Sequence, residues 1–472
     1  MLGRAQRADK ESRAVDGPSE ELVARAEWDA DRASVSVALD GIEHQLWFAT
    51  SGEDPGGEAD LLLPLTLFPA MVSGYRLQLP EAVSPRLISA VPKIQDMFRL
   101  WATEYWGGKL QDVRRISVDA DARSSGPTND PSGVACFFSG GVDSFYTLLK
   151  HREEVTHIIF VHGFDIALED RAHRTQASQM AREVAKELGK TLIEVETNIR
   201  TFSDGRVGWK IYHGAAMASV ALLFQHRFRR VLIASSHSYV RMLPWGSHVL
   251  LDPLWSTELT EIEHDGSEAT RIDKMAYISE HELPMQWLRV CFKNPDSAYN
   301  CGRCGKCVVA KVTLRTVGAL ERCKTLPHDL NIEEVANMDL INNESRRGVV
   351  RQNLRTLERL GTEPELAQAL AKALDKSSET GEARAAHAGR HNLDEQLLRA
   401  REELEGTRVE LEASRRTADR LRIRSKRLVQ RNRLLTARYS ARRYRFAEAF
   451  ASIALRIPGI GKLMRRNRAA GS

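Results

Sequence analysis

Two short segments of this chain carry residue types whose spacing could do chemistry. The first is Ser139-Gly140-Gly141-Val142-Asp143-Ser144, set between the apolar run Val134–Phe138 and a stretch with Phe145, Leu148 and Leu149 at helical intervals. A strand that turns through glycines into a helix start presents several backbone N–H groups at one point. Phosphate is attracted there, because unpaired donors and the helix dipole both favour negative charge. The second is CFKNPDSAYNCGRCGKC, in which Cys291, Cys301, Cys304 and Cys307 follow the spacing C-x9-C-x2-C-x2-C. Each C-x2-C step lets two sulfurs reach one ion, and the longer return supplies the fourth ligand. Four thiolates with no open position describe structural Zn²⁺. An iron–sulfur cluster suits the same ligands, and a partly bound set with one redox-active cysteine is a third reading.

The full string Ser139–Ser144 resembles the pyrophosphate loop of the N-type ATP pyrophosphatases. Members include ATP-dependent amidating synthetases, tRNA-thiolating enzymes and the 7-cyano-7-deazaguanine synthases. It is not a Walker loop, since no GxxxxGK[ST] occurs in the chain. The resemblance implies that the amides of Gly140, Gly141 and Val142 and the hydroxyls of Ser139 and Ser144 cradle the β- and γ-phosphates of ATP. It also implies that Asp143 binds Mg²⁺. A pyrophosphate loop followed by a four-cysteine knuckle is most similar to the 7-cyano-7-deazaguanine synthase branch, over roughly residues 134–320. By the same likeness Arg271 and Lys274 of RIDKMAYI stand near the ATP phosphates, and Tyr212–Phe224 is a helix whose start borders the nucleotide.

The likeness breaks at Ser235–Glu258, which is longer than the branch's substrate loop and richer in Trp and His. His237, Trp245, His248 and Asp252 there are candidates for substrate contact, with plain packing as the alternative. His162 and Asp165, after the second strand, read as a satisfied turn before they read as ligands, and Cys136 reads as core. The expectation is an enzyme that adenylates an acceptor carboxylate or amide, releases pyrophosphate, and lets a nitrogen nucleophile displace AMP. Lys274 stabilises phosphate charge in that scheme. Two rivals stand beside it: sulfur transfer by a free cysteine, and a non-catalytic nucleotide-binding scaffold that acts through its tail.

The elements that must position these residues alternate. HIIFVHGF, TLIEVET and RVLIASS read as strands, TQASQMAREVAKELGK and HGAAMASVALLFQH as helices. Alternation of this kind predicts an α/β fold with a parallel, doubly wound sheet, adenine nucleotide alpha hydrolase-like by the resemblance, and ligands at the carboxyl ends of the strands. A small α+β module is expected over 21–120, because ASVSVALDGIEHQLWFAT alternates about Asp40-Gly41 as a hairpin does and SPRLISAVPKIQDMFRLW repeats at helical spacing. The linker Asp121–Gly133 then leads to the ATP-binding domain with its cysteine site, 134–325, and a helical extension, 326–375. Residues 1–20 are polar and read as disordered.

A coiled coil is expected over 391–440, with Leu397, Leu404, Leu411 and Asn432 at a positions and Leu393, Leu421, Leu428 and Leu435 at d. It predicts a homodimer, and a buried Asn at one a position fixes register. Residues 415–472 carry +16 of the net +5, leaving the rest of the chain at −11. The basic amphipathic tail, 441–472, suits an anionic membrane surface or an acidic partner. No apolar run approaches the ~20 residues of a membrane span, and no secretory signal is seen. A cytoplasmic protein is expected, with a peripheral position at the inner membrane face as its extension.

Overall fold

Apolar residues at every second position write the first hairpin. In the computed structural model, β1 (Glu21–Asp29), β2 (Arg32–Leu39) and β3 (Ile42–Thr50) form an antiparallel meander. Asp40 and Gly41 close its second turn with φ of 56° and 71°, the left-handed pair that a two-residue hairpin requires. The structure describes residues 21–378 apart from 52, 111, 125–130, 292–297 and 341–342, and beyond 378 only 445, 449 and 452. The expected disordered start, coiled coil and basic tail lie outside the described residues.

Helix α1 (Leu62–Ser73) is buried almost throughout, so its sequence LLPLTLFPAMVS shows no amphipathic period. Strand β4 (Arg76–Val83) follows, then α2 (Pro85–Trp101), whose Ser84 cap accepts from the Leu87 amide, then β5 (Val118–Ala122). The α/β half alternates β6 (Gly133–Phe137), α3 (Val142–Lys150), β7 (His157–His162), α4 (Arg171–Leu188) and β8 (Thr191–Thr197). After the short α5 (Arg200–Ser203) come α6 (Trp209–Leu223), β9 (Phe228–Ala234) and β10 (Glu261–Asp265). Helices α7 (Arg271–Ser279), α8 (Glu282–Trp287), α9 (Gly305–Thr316), α10 (Ile332–Ala336), α11 (Glu344–Leu360) and α12 (Pro364–Ser378) complete it.

Strands β8-β7-β6-β9-β10 lie side by side in that order, all parallel. The chain runs outward from β6 to β8, then returns to the other side of β6 for β9. Such a reversal separates the loops that follow β6 and β9 and opens a crevice at their carboxyl ends. Both faces are covered, as continuous apolar strands require. Ala135 and Phe137 share a core with α1, α2 and α6, while Val134, Cys136 and Phe138 share another with α3, α4 and α7.

The two β patterns that the sequence separates belong to one sheet. β3 pairs antiparallel with β8 (Phe48 opposite Thr197, Thr50 opposite Val195), which gives the ten-stranded, mostly parallel order β10-β9-β6-β7-β8-β3-β2-β1-β4-β5. The pairing removes what would otherwise be a free edge on β8. A third core joins α9 to α10, α11 and α12 through Val312, Leu340, Val350 and Leu370. The chain divides into two units, Met1–His391 and Asn392–Ser472. Among the described residues, no helix is long and apolar enough to cross a membrane.

Candidate functional site

The loop after β6 lies at the sheet's reversal point. Gly140 takes φ +76°, the left-handed conformation that favours glycine. Gly141 caps α3 in extended conformation. The first helical hydrogen bond runs from the Phe145 amide to the Gly141 carbonyl at 3.0 Å. The amides of Val142, Asp143 and Ser144 therefore precede the ladder, as helix starts dictate. The two serines close the loop on itself. Ser144 Oγ accepts from the Ser139 amide at 3.2 Å, donates to the Gly141 carbonyl at 3.1 Å, and lies 3.3 Å from Ser139 Oγ.

Asp143 faces two cations from α7. Arg271 Nη2 donates to Oδ2 at 2.8 Å, and Lys274 Nζ reaches Oδ1 at 3.3 Å. A capping box between Thr270 and Asp273 starts α7 at the residue that puts Arg271 and Lys274 on one face, three apart. Lys274 is only 2% exposed and also donates to the Ser235 carbonyl at 2.6 Å. Burial alone would raise the Asp143 pKa, but Arg271 and Lys274 outweigh it and hold the carboxyl below its usual range.

Two further cations converge that the sequence did not single out. The Arg289 amide donates to the Gly140 carbonyl at 2.8 Å, and the side chain is 7% exposed. Lys306 keeps a path to solvent, yet the protein around it desolvates the ammonium and draws its pKa down to about 8, against the pull of Asp165 and Asp143. Residues eighteen to thirty-five positions from Arg271 left no spacing signal for this. Their only mark in the sequence was proximity to the cysteines.

The four knuckle cysteines come together as expected. Sγ–Sγ distances are 3.7 Å (Cys291–Cys304), 3.9 Å (Cys301–Cys307) and 3.5 Å (Cys304–Cys307), and all four sulfurs lie within 4.8 Å of one another. Zinc–sulfur bonds of ~2.3 Å make a tetrahedron with edges of ~3.8 Å, so the set fits Zn²⁺. Asn300 fixes the two arms. Its Oδ1 accepts from the amides of Val290 (2.9 Å) and Cys291 (3.1 Å), and its Nδ2 donates to the carbonyls of Leu288 (2.8 Å) and Thr325 (3.1 Å).

The substrate-loop candidates separate into two pairs. His237 and Trp245 meet edge-on at 5.5 Å, within electrostatic reach of Asp143, with Lys210 Nζ 4.7 Å over the indole. Burial, then Arg241, lowers the His237 pKa to about 4 although Asp143 opposes it, and its Nε2 has no hydrogen-bond partner. His248 and Asp252 instead hold the loop together. Asp252, fully buried, accepts from Ser247 Oγ (2.6 Å), the His248 amide (3.1 Å) and His264 Nδ1 (2.7 Å), and His248 packs on Trp101. Trp245 is placed by a backbone contact: a Cβ on Gly214 would stand 1.9 Å from the Gly246 carbonyl oxygen.

His162 is a satisfied buried histidine on one nitrogen, with Nε2 3.1 Å from both Glu194 Oε2 and Ser178 Oγ. Cys136 and Cys323 are fully buried and stand outside the cysteine tetrahedron. His151, Glu263 and Asp265 also place donor atoms within 4.8 Å of one another, but Lys150 already occupies Asp265 Oδ1 at 2.8 Å.

No family model matches this chain, and comparison with curated proteins and with solved structures yields no significant match. Fold and site together define an α/β protein with a ten-stranded, mostly parallel sheet and a four-cysteine, metal-compatible centre.

Proposed function

We propose that this protein is an ATP-dependent adenylating enzyme of the pyrophosphate-loop type. The observation that carries the reading is Asp143 at the N-terminus of α3, paired with Arg271 and Lys274 after the adjacent parallel strands β6 and β9. The loop also has the form of an anion cradle: a left-handed glycine, an extended glycine and three amides ahead of the helix ladder.

ATP supplies a phosphorus that an acceptor oxygen attacks, with pyrophosphate as the leaving group and a nitrogen nucleophile displacing AMP afterwards. The loop amides from Gly140 to Ser144 would hold the departing charge. Lys274, anchored on Ser235, would stabilise it from the β9 side. Asp143 would hold Mg²⁺. Of its two cationic partners Arg271 is the more exposed (29% against 2%), so it is the one that can turn toward the phosphates. The cysteines would hold Zn²⁺ as a brace on one wall of the site, where α9 packs on α7. His237 and Trp245 would border the small-molecule acceptor. In this reading the coiled coil pairs two copies, and the basic tail holds the cytoplasmic protein to an anionic surface.

Sulfur transfer needs a thiol outside the metal set, and both such cysteines are fully buried. That leaves adenylation ahead of it. Calorimetry of Mg²⁺-ATP binding on the full chain tests the proposal, wild type against Asp143→Asn, with zinc measured on each sample. The expected result is binding by the wild type that weakens about tenfold or more in the variant at equal zinc content. A folded, zinc-loaded wild type that binds no ATP overturns it; binding opens a screen of acceptors for AMP and pyrophosphate release.

A further inference from the structure

The scheme above gives the Arg289 side chain no part, although its placement is unusual. Only 7% of the residue is exposed, yet among the described residues its guanidinium makes no hydrogen bond and no ion pair. Asp165 is felt as a charge but forms no pair with it. Holding a guanidinium in protein without a carboxylate is costly, and an anion relieves the cost because the planar fork matches phosphate oxygens.

That cation backs onto the phosphate loop. Its amide holds the Gly140 carbonyl at 2.8 Å, and its own Cβ lies 3.4 Å from where a Gly140 Cβ would stand. The loop opens the nine-residue α3, so a helix start and a glycine turn meet the backbone and Cβ of a buried arginine whose guanidinium has no partner. The segment carrying Arg289 is gripped on both sides. Asn300 takes the Leu288 carbonyl before it and the Val290 and Cys291 amides after it. Asn300 adjoins Cys301, and Cys291 is two residues from Arg289, so the cysteine tetrahedron sets where this segment lies.

We propose that Arg289 is a phosphate receptor of the Ser139–Ser144 loop, held in place by the four-cysteine centre, so that metal occupancy sets the loop's affinity for a diphosphate group. The inference rests on the phosphate-binding part of the proposed function. It adds a third cation to Arg271 and Lys274 and makes the metal a determinant of anion affinity as well as of stability.

The test is calorimetric titration of inorganic pyrophosphate with Mg²⁺ into the full chain. Arg289→Gln is expected to weaken binding about tenfold or more with metal content and melting temperature unchanged, and Arg289→Lys to recover part of it. Stripping the metal from the wild type is expected to weaken pyrophosphate binding, reloading to restore it, and stripping to add little in Arg289→Gln. If Arg289→Gln fails to fold, Arg289→Lys carries the test, since a point charge in place of the fork is expected to bind more weakly than wild type. Pyrophosphate affinity indifferent to both Arg289 variants, or to the metal, overturns the inference. If Asp143→Asn still weakens ATP binding in that case, the proposed function stands alone; a wild type that binds neither ligand sinks both.

Discussion

Lys274 Nζ lies 2.6 Å from the carbonyl oxygen of Ser235, which ties α7 to the end of β9. The same ammonium reaches Asp143 at 3.3 Å, so one buried cation joins both loops of the sheet's reversal. A group this sealed is fixed before any ligand arrives, and its charge is part of the fold as well as of the site.

Lys274→Met removes that charge, leaves the Ser235 carbonyl without its donor and leaves Asp143 with Arg271 alone. Breaking a buried pair costs about 3 kcal/mol at the low end of its range, appropriate where one partner remains. Urea denaturation is expected to show that loss, together with weaker ATP binding. An unchanged midpoint would mean that Arg271 carries Asp143 unaided.

Four cysteines cluster, and Cys136 and Cys323 lie buried outside the cluster. Purified protein is expected to hold about one zinc per chain, lost in Cys291→Ser or Cys304→Ser and retained in Cys323→Ser. Elemental analysis reads the metal, and melting curves read the stability that leaves with it. Zinc lost equally in Cys323→Ser would remove that cysteine from the structural core and place it in the metal set.

Part of the acid sensitivity should trace to Glu194. Burial opposes its ionisation, but hydrogen bonds with His162, Ser178 and Arg182 prevail and hold its pKa at about 2. Because the folded value lies below the unfolded one near 4.5, the stabilisation is complete above about pH 4.5 and is lost as pH falls toward 2. The shift is worth about 3 kcal/mol. Glu194→Gln is expected to be less stable than wild type at pH 6, with the gap shrinking by pH 3. A gap independent of pH would contradict the assignment.

Gly214→Ala places a methyl 1.9 Å from the Gly246 carbonyl oxygen, a backbone atom that cannot rotate away. Overpacking of this kind costs about 2–3 kcal/mol, and it displaces Trp245 from α6. Lower stability with altered tryptophan emission is expected; wild-type values for both would show that the loop is not seated on the helix.

Much of the α/β half was legible because it is local. The strand Thr191–Thr197 carries the predicted bounds, and α4 ends at Gly189, whose φ of 64° is the left-handed cap its sequence announces. Helix α1 gave no such signal, since a helix buried on every side has no polar face to mark its turns. Strand β10 was missed for a related reason: EIEHD at a sheet edge shows little apolar alternation.

What the sequence determined by itself were the two motifs, because a turn through Ser139–Ser144 and a C-x2-C-x2-C run depend on covalent spacing over a few residues. What only the tertiary structure decided was which distant groups meet them. The β3–β8 pairing merged two patterns into one sheet, since edge backbone groups take whatever strand the burial of both faces brings alongside. His248 and Asp252 parted from His237 and Trp245, although one loop carries all four. Arg289 and Lys306 reached the loop from beyond α7 because the cysteine knuckle folds back over it. Contacts of that range are selected by packing and desolvation across the whole sheet, and no local spacing encodes them.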